Sequence, residues 1–238
     1  MAIDLWVFPY AGGGAAAFRP WKSVLEPEVT LRLVPLAGRD ARFNEPGPTR
    51  HADARRYLRE ALFPQLEEPF AFYGHSMGAH LAWEVARDLR REELPLPLYL
   101  FVSGASAPVH GPPGPLASLP HDELVERLRT LGGTPPEVLA HEELLEVTLP
   151  LIRRDFALAE SFRYVAEPPL ECPLSAWGGR DDVNSTSRME AWGQETASTF
   201  RLRMLPGGHF FIREHASTLL EELKRDLARV TARVPVSP

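Results

Sequence analysis

The pentapeptide G-H-S-M-G at residues 74–78 dictates much of the structure around it. It stands between the apolar run 69–73, typical of a strand, and the helix-forming stretch 79–91. Glycines two positions on either side of Ser76 permit a sharp strand-to-helix turn that a Cβ would obstruct. Such a turn lifts the hydroxyl clear of a sheet edge and aims a helix N-terminus at the group it attacks. The motif predicts a nucleophilic serine; the alternative, a chance match in a loop, is disfavoured by the flanking strand and helix.

Length and charge narrow the class of protein. A chain of 238 residues fits one α/β domain, taken here as 1–238, with room for an insertion. A net charge of -6 disfavours nucleic-acid binding, which normally requires a basic face. The single cysteine, Cys172, permits no internal disulfide and favours a reducing compartment. Without a signal-peptide pattern or an 18-residue apolar run, the sequence predicts a cytoplasmic monomer that avoids membranes.

Apolar runs and helical patterns alternate along the chain. Residues 54, 57, 58, 61 and 62 form one apolar stripe of a helix, and a second stripe covers 216–230. Short apolar runs that end at glycine, proline or polar clusters are typical of buried strands. These runs cover residues 5–8, 31–36, 70–73, 98–102, 173–177 and 201–205. The alternation predicts an α/β fold with a mostly parallel sheet covered by helices on both faces.

The pattern changes between the fourth and fifth predicted strands. Residues 109–120 are rich in proline and glycine, and helical patterns follow at 124–131, 137–141 and 142–162. Pro150 should kink or split the last of these helices. We interpret residues 112–165 as a helical lid inserted over the active edge of the sheet. The alternative is that these helices belong to the ordinary core.

A glycine-rich loop, Y-A-G-G-G at residues 10–14, follows the first predicted strand. A loop of this kind can cradle phosphate, but the G-x-G-x-x-G and Walker spacings are both absent. In a serine hydrolase, backbone N–H groups of the same loop point at the oxyanion. The residue after the nucleophile contributes a second N–H. We therefore predict Ala11 and Met77 as oxyanion-hole donors.

A nucleophilic serine needs a base, and the base needs an orienting acid. In α/β-hydrolases these follow the nucleophile in the order acid, histidine, each in a loop after a late strand. His209, in the glycine-flanked loop after the last strand, fits the base. Asp181 and Asp182 both fit the acid; Asp182 is favoured because a longer loop reaches further over the edge.

Two further histidines, His75 and His80, flank the nucleophile and raise the question of a metal site. Their spacing of five differs from the i, i+4 spacing of a helical zinc pair, and no third ligand lies nearby. We expect His75 to pack under the turn. The sequence predicts no metal and no cofactor.

With these residues assembled, the chain resembles the type II thioesterases that accompany polyketide and nonribosomal peptide synthetases. The matching stretches span most of the chain. They are F-P-Y-A-G-G at 8–13, G-H-S-M-G-A at 74–79, the region from L-I-R-R-D at 151–155 to residue 164, and P-G-G-H-F-F at 206–211. The first and last are more specific than G-x-S-x-G alone. The resemblance implies an α/β-hydrolase fold with a helical lid, with Ser76 as nucleophile and His209 as base.

The same resemblance implies a function. Such enzymes hydrolyse acyl thioesters on the phosphopantetheine arm of acyl or peptidyl carrier proteins and so remove stalled groups. A medium-chain fatty acyl thioesterase and a general carboxylesterase are the nearest alternatives; a non-catalytic acyl- or partner-binding protein is the remote one. Leu128, Leu149 and Phe156 are candidate walls of an acyl chamber or plain core residues. The arginine-rich stretch 87–91 could meet an acidic carrier, although such stretches are more commonly solvated helix faces.

Overall fold

The structure, a computed structural model, describes residues 2–67, 69–112 and 114–232. Within these ranges six strands form one sheet in the order β2-β1-β3-β4-β5-β6, and every neighbouring pair is parallel. The strands are β1 Ile3–Phe8, β2 Val29–Leu33, β3 Phe70–His75, β4 Leu100–Ser103, β5 Leu174–Gly179 and β6 Phe200–Leu205. The predicted parallel α/β architecture is confirmed. The largest boundary error is in β2, which ends at Leu33 rather than at residue 36.

Side chains alternate between the two faces of the sheet, as the pleat requires. Phe8, Phe72 and Val102 belong to one apolar cluster, with residues of the helices His51–Leu62 and Met77–Arg91. Their strand neighbours Tyr73 and Phe101 belong to the cluster on the other face, with residues of the helix Ala216–Thr231. Both faces are therefore covered, and the chain can present functional groups only where the strands end.

The helices fall on both sides of the sheet and between β4 and β5. They are α1 Ala15–Phe18, α2 Lys22–Leu25, α3 His51–Leu62, α4 Met77–Arg91, α5 His121–Leu131, α6 Pro136–Leu139, α7 Glu142–Glu160, α8 Thr186–Glu190, α9 Phe211–Glu214 and α10 Ala216–Thr231. Short 3₁₀ turns cover Arg19–Trp21, Asp40–Arg42, Phe63–Gln65, Pro108–His110 and Ala191–Glu195. No helix within the described ranges combines the length and apolar character that a membrane crossing requires. The last six residues of the predicted domain 1–238 lie outside the described residues.

Helices α5 to α7, which we call the helical segment (residues 121–160), have an apolar cluster of their own. Leu128, Leu149 and Phe156 lie in it and pack with three further buried residues. Helix α7 continues through Pro150 without interruption, so the predicted split is wrong. Pro150 lacks the N–H that would bond the carbonyl of Glu146, but both residues are exposed and water can satisfy that carbonyl.

The arginines at the end of α4 do not form a free basic surface. Arg87 is buried and pairs with Glu84 at 2.9 Å and Glu167 at 2.7 Å. Arg90 and Arg91 also pair with Glu167. Arg87 is therefore unavailable to a partner, whereas Arg91 stays exposed while paired, and contact of this stretch with a carrier stays a prediction.

Candidate active site

The turn between β3 and α4 holds Ser76 in a strained backbone conformation. Its φ of 56° and ψ of -119° are unusual for a residue with a side chain. The turn is fixed by a 2.7 Å hydrogen bond from Ser76 N–H to the carbonyl of Ser103, at the end of β4. A Cβ at Gly78 would overlap the carbonyl oxygen of Phe8, and one at Gly74 would overlap the carbonyl of Gly78. Gly78 is thus required by the close approach of the turn to β1, and Gly74 by the close approach of the end of β3 to the start of α4.

The hydroxyl of Ser76 lies beside the ring of His209. The Oγ–Nε2 distance is 2.9 Å, although the two residues are 133 positions apart. His209 follows β6, the edge strand that ends at Leu205, and the loop 206–209 carries the ring back over the sheet. The order of strands therefore brings together a hydroxyl and an imidazole that the sequence separates.

Of the two adjacent aspartates after β5, the structure places Asp182 against the histidine. Its Oδ2 is 2.8 Å from His209 Nδ1, and its side chain is 2% exposed. Asp181 is exposed and turned the other way: its carboxylate accepts from the Gly207 N–H at 3.2 Å, and its own N–H donates to the Gly207 carbonyl at 3.0 Å. The serine, the histidine and Asp182 thus form one continuous hydrogen-bonded chain.

Burial would raise the pKa of Asp182, but hydrogen bonding and attraction to His209 outweigh it, and the pKa falls below its usual value of 3.8. The amide of Asn184 also donates to this carboxylate at 3.0 Å. Asn184 further contacts Gly104 and Ser106 in the loop after β4, so it ties two loops together. Sequence reasoning missed Asn184, because its role depends on contacts about 80 residues away. Asp182 is an anion near neutral pH and can stabilise a protonated His209.

His75 packs beneath the turn, and burial lowers its pKa well below the usual 6.5. Its Nδ1 lies 2.8 Å from Ser103 Oγ, and its ring centroid lies 5.2 Å from that of His209. A neutral ring here spares His209 the repulsion of a second positive charge. His80 instead contacts the Ser106 carbonyl at 2.9 Å and stacks on a phenylalanine ring. The two histidines therefore do not converge on a common point.

The two predicted oxyanion donors lie in the residue after Ser76 and in the loop after β1. Met77 is the first residue of α4, where a backbone N–H has no helical partner. Ala11 lies in the loop after β1, whose last residue Phe8 is paired with Gly74. The next two N–H groups in this loop are used: Gly12 donates to Asp155 and Gly13 to the Tyr10 carbonyl, each at 2.8 Å. In the described part of the chain, the Ala11 N–H has no protein acceptor.

A cavity of about 510 Å³ opens on the Ala11 side of the site. The glycine-rich loop forms one wall, and the segment between α5 and α6 together with α7 forms the other. Leu151 and Ile152 contribute apolar surface from α7, and Pro136 and Val138 contribute it from α6. The cavity can hold an extended apolar group next to Ala11.

The chemistry available to this arrangement is narrow. It offers a hydroxyl within reach of a base, a base held by an anion, and two backbone N–H groups for a developing negative charge. This combination suits acyl transfer through a covalent intermediate.

Comparison with known proteins agrees with this reading. The family model for the thioesterase domain matches residues 4–227. The chain is 42% identical over 230 residues to the protein of Brevibacillus parabrevis called linear gramicidin dehydrogenase LgrE, covering 94% of this chain and 88% of that one. Among solved structures, the RedJ thioesterase of the prodiginine pathway of Streptomyces coelicolor superposes with a TM-score of 0.88 at 36% identity, covering 93% and 89%. The type II thioesterase BorB of the borrelidin cluster gives 0.87 at 35%, covering 94% and 92%. The chain belongs to the thioesterase domain family.

Proposed function

We propose that this protein is an editing type II thioesterase. It hydrolyses acyl thioesters on the phosphopantetheine arm of carrier proteins in polyketide or nonribosomal peptide biosynthesis. The observation that carries the proposal is the hydrogen-bonded chain Ser76–His209–Asp182, with its distances of 2.9 Å and 2.8 Å. The substrate class rests on family membership and on relatives such as RedJ and BorB, which are thioesterases of biosynthetic pathways.

The first half-reaction forms an acyl-enzyme. Ser76 Oγ attacks the thioester carbonyl while His209 Nε2 takes its proton, and Asp182 stabilises the resulting imidazolium. The carbonyl oxygen becomes an anion and accepts hydrogen bonds from the N–H groups of Ala11 and Met77. The tetrahedral intermediate then collapses, the C–S bond breaks, and the pantetheine thiol leaves with the proton from His209.

The second half-reaction releases the acid. Water enters, His209 takes one of its protons, and the hydroxide attacks the ester carbonyl on Ser76. The same two N–H groups stabilise the second oxyanion. Collapse returns the proton from His209 to Ser76 Oγ and frees the carboxylic acid, so the enzyme is restored.

The helical segment serves as a lid in this scheme, within the insertion 112–165. Its apolar cluster around Leu128, distinct from those on the two faces of the sheet, supports this over ordinary core packing, while Leu158 and Ala159 at the end of α7 anchor the segment to the core. The acyl chain occupies the cavity next to Ala11, and motion of the segment admits the pantetheine arm. All the catalytic groups come from one chain, which supports a monomer as the working unit.

The alternatives are weighed by specific features. A medium-chain fatty acyl thioesterase or a carboxylesterase would use the same triad, so only substrate tests separate them. A non-catalytic binding protein would have no need of a complete triad. The dehydrogenase named in the LgrE description is not carried over, because the loop at residues 10–14 lacks the G-x-G-x-x-G spacing of a dinucleotide site.

The test is a panel of carrier proteins bearing different acyl groups, followed by mass spectrometry of the carriers and of the released acid. Wild type should return each accepted carrier to its free-thiol form, and Ser76→Ala should lower the rate on the order of 10⁶-fold. Ser23→Ala, at an exposed serine of α2, is the matched control and should behave as wild type.

Two outcomes would contradict the proposal. Equal rates of carrier hydrolysis by wild type and Ser76→Ala would show that Ser76 is not the nucleophile. Turnover of p-nitrophenyl esters without turnover of any acyl carrier would leave a serine esterase and exclude carrier editing.

A further inference from the structure

A buried ion pair lies behind the loop that carries Ala11. Arg39, in the segment after β2, is 6% exposed, and Asp155, on α7, is 1% exposed. The Nη2 of Arg39 is 2.8 Å from both carboxylate oxygens, across a separation of 116 residues. The pair takes no direct part in the two half-reactions. Burying two charges is expensive, so a buried ion pair is weak evidence for a purely stabilising role.

Both members of the pair also bind the backbone of the glycine-rich loop. Asp155 Oδ2 accepts the Gly12 N–H at 2.8 Å. Arg39 Nη1 donates to the Gly13 carbonyl at 2.7 Å. Gly12 and Gly13 follow Ala11 directly, so these charge-assisted hydrogen bonds restrain the backbone immediately after the Ala11 N–H.

The pairing also solves an electrostatic problem. A lone carboxylate close to the oxyanion site would repel the negative charge that develops there, most strongly in a buried environment. Arg39 neutralises that carboxylate, and Arg154 places a second cation 3.8 Å from Asp155 Oδ1. The loop thereby receives a strong acceptor without a net negative charge behind it.

The same segment holds the far end of the loop. Asp40, next to Arg39, accepts the Ala15 N–H at 3.1 Å with each carboxylate oxygen. Its φ of 50° is unusual for a residue other than glycine, and strain of this kind persists only where surrounding contacts enforce it. Residues that follow β2 therefore hold the chain at Gly13 and again at Ala15, where the loop enters α1.

We propose that Arg39 and Asp155 are positioning residues that hold the Ala11 N–H where the oxyanion forms. They touch neither substrate nor reacting atoms and act through Gly12 and Gly13. The proposal rests on the proposed function, in which Ala11 is an oxyanion donor.

The experiment separates positioning from stability, with p-nitrophenyl butyrate as substrate. Asp155→Asn should lower kcat about 10²-fold, the loss typical of one oxyanion donor, with little change in KM. The double variant Arg39→Met with Asp155→Leu should regain thermal stability, since an apolar pair replaces the charges, yet stay as slow as the single variant. Asp226→Asn is the matched control: Asp226 is also buried and paired with an arginine, Arg201, but lies away from the site, so only its melting temperature should fall.

A trifluoromethyl ketone, which forms an oxyanion adduct with the serine, provides the second measurement. Its inhibition constant should rise about 10²-fold in Asp155→Asn, in step with kcat/KM, while the affinity of a non-hydrolysable acyl-pantetheine thioether stays unchanged. Full activity in either variant, or unchanged ketone affinity, would overturn the positioning role and leave the proposed function standing. A wild-type protein that neither hydrolyses the ester nor binds the ketone would overturn both.

Discussion

Helix α4, which follows Ser76, and helices α5 and α6 of the helical segment differ sharply in burial. Thirteen of the fifteen residues of α4 are buried, against two of eleven in α5 and none of four in α6. Helix α4 packs against the sheet along its length, whereas α5 and α6 rest on a small cluster around Leu124 and Leu128. Local opening is easiest where few apolar contacts hold an element. Helix α4 should therefore be the more rigid region, and α5 and α6 the region that opens more easily.

Among the changes that compare these two regions, the largest effect should come from replacing one carboxylate oxygen of Asp182 by an amide nitrogen. Asp182→Asn removes the charge that stabilises the protonated base and favours the wrong tautomer of His209, so kcat should fall about 10⁴-fold. Steady-state kinetics on an acylated carrier measures this loss. Asp181→Asn is the control, with a change of less than about twofold expected, because that side chain faces Gly207. Comparable losses in both variants would mean that the site does not depend on the His209–Asp182 contact.

Two glycine substitutions test the difference between α4 and α5 through the free energy of unfolding. Gly78→Ala, in α4, should lower the free energy of unfolding by about 3 kcal/mol or more, because its Cβ would overlap backbone of β1 that cannot move aside. Gly132→Ala, after α5, should cost about 1 kcal/mol: its φ of 79° disfavours alanine, but nothing lies within 4 Å of the added Cβ. Urea denaturation measures both. Equal costs would mean that the two regions are equally rigid.

The sequence predicted features that are encoded locally. The strands follow from short apolar runs, the turn at Ser76 from its glycines, and the place of His209 from strand order. The preference for Asp182 over Asp181 rests, in the sequence, on loop length alone, which does not determine where either side chain points. That direction depends on the turn after β5, where the Asp181 N–H and carboxylate are both engaged by Gly207.

Long-range side-chain pairs escaped prediction for a related reason. Nothing in the residues around Arg39 or Asp155 signals a partner 116 positions away, because the pairing exists only once α7 lies over the loop. The L-I-R-R-D stretch carries part of the resemblance to the family, but the sequence indicates no role for its aspartate. The expected split at Pro150 is wrong, because helix propensity carries no information on whether the unbonded carbonyl faces water.

The smallest expected effect concerns the polar contacts that hold the helical segment against the region of His209. Arg213, in α9 just after the histidine loop, donates to the carbonyls of Gly132 at 2.9 Å and Gly133 at 2.6 Å and lies over the Phe210 ring. These contacts join the end of α5 to the region of His209. Arg213→Gln should weaken them by about 1.4 kcal/mol, so that the segment opens about tenfold more often. Hydrogen exchange of peptides from residues 121–139 should accelerate by that factor, while α4 is unaffected.

Arg129→Gln is the matched control for this change. Arg129 also lies in the helical segment, in α5, but its ion pair with Glu126 is exposed and joins only residues of the same helix. Exposed pairs of this kind contribute little, so exchange in 121–139 should stay at the wild-type rate. Faster exchange across α4 in Arg213→Gln would show that the helical segment and α4 open together. The difference in burial between them would then not be matched by a difference in local opening. Unchanged exchange in both variants would mean that the apolar cluster around Leu128 alone holds the helical segment in place. The polar contacts of Arg213 to Gly132 and Gly133 would then contribute nothing measurable.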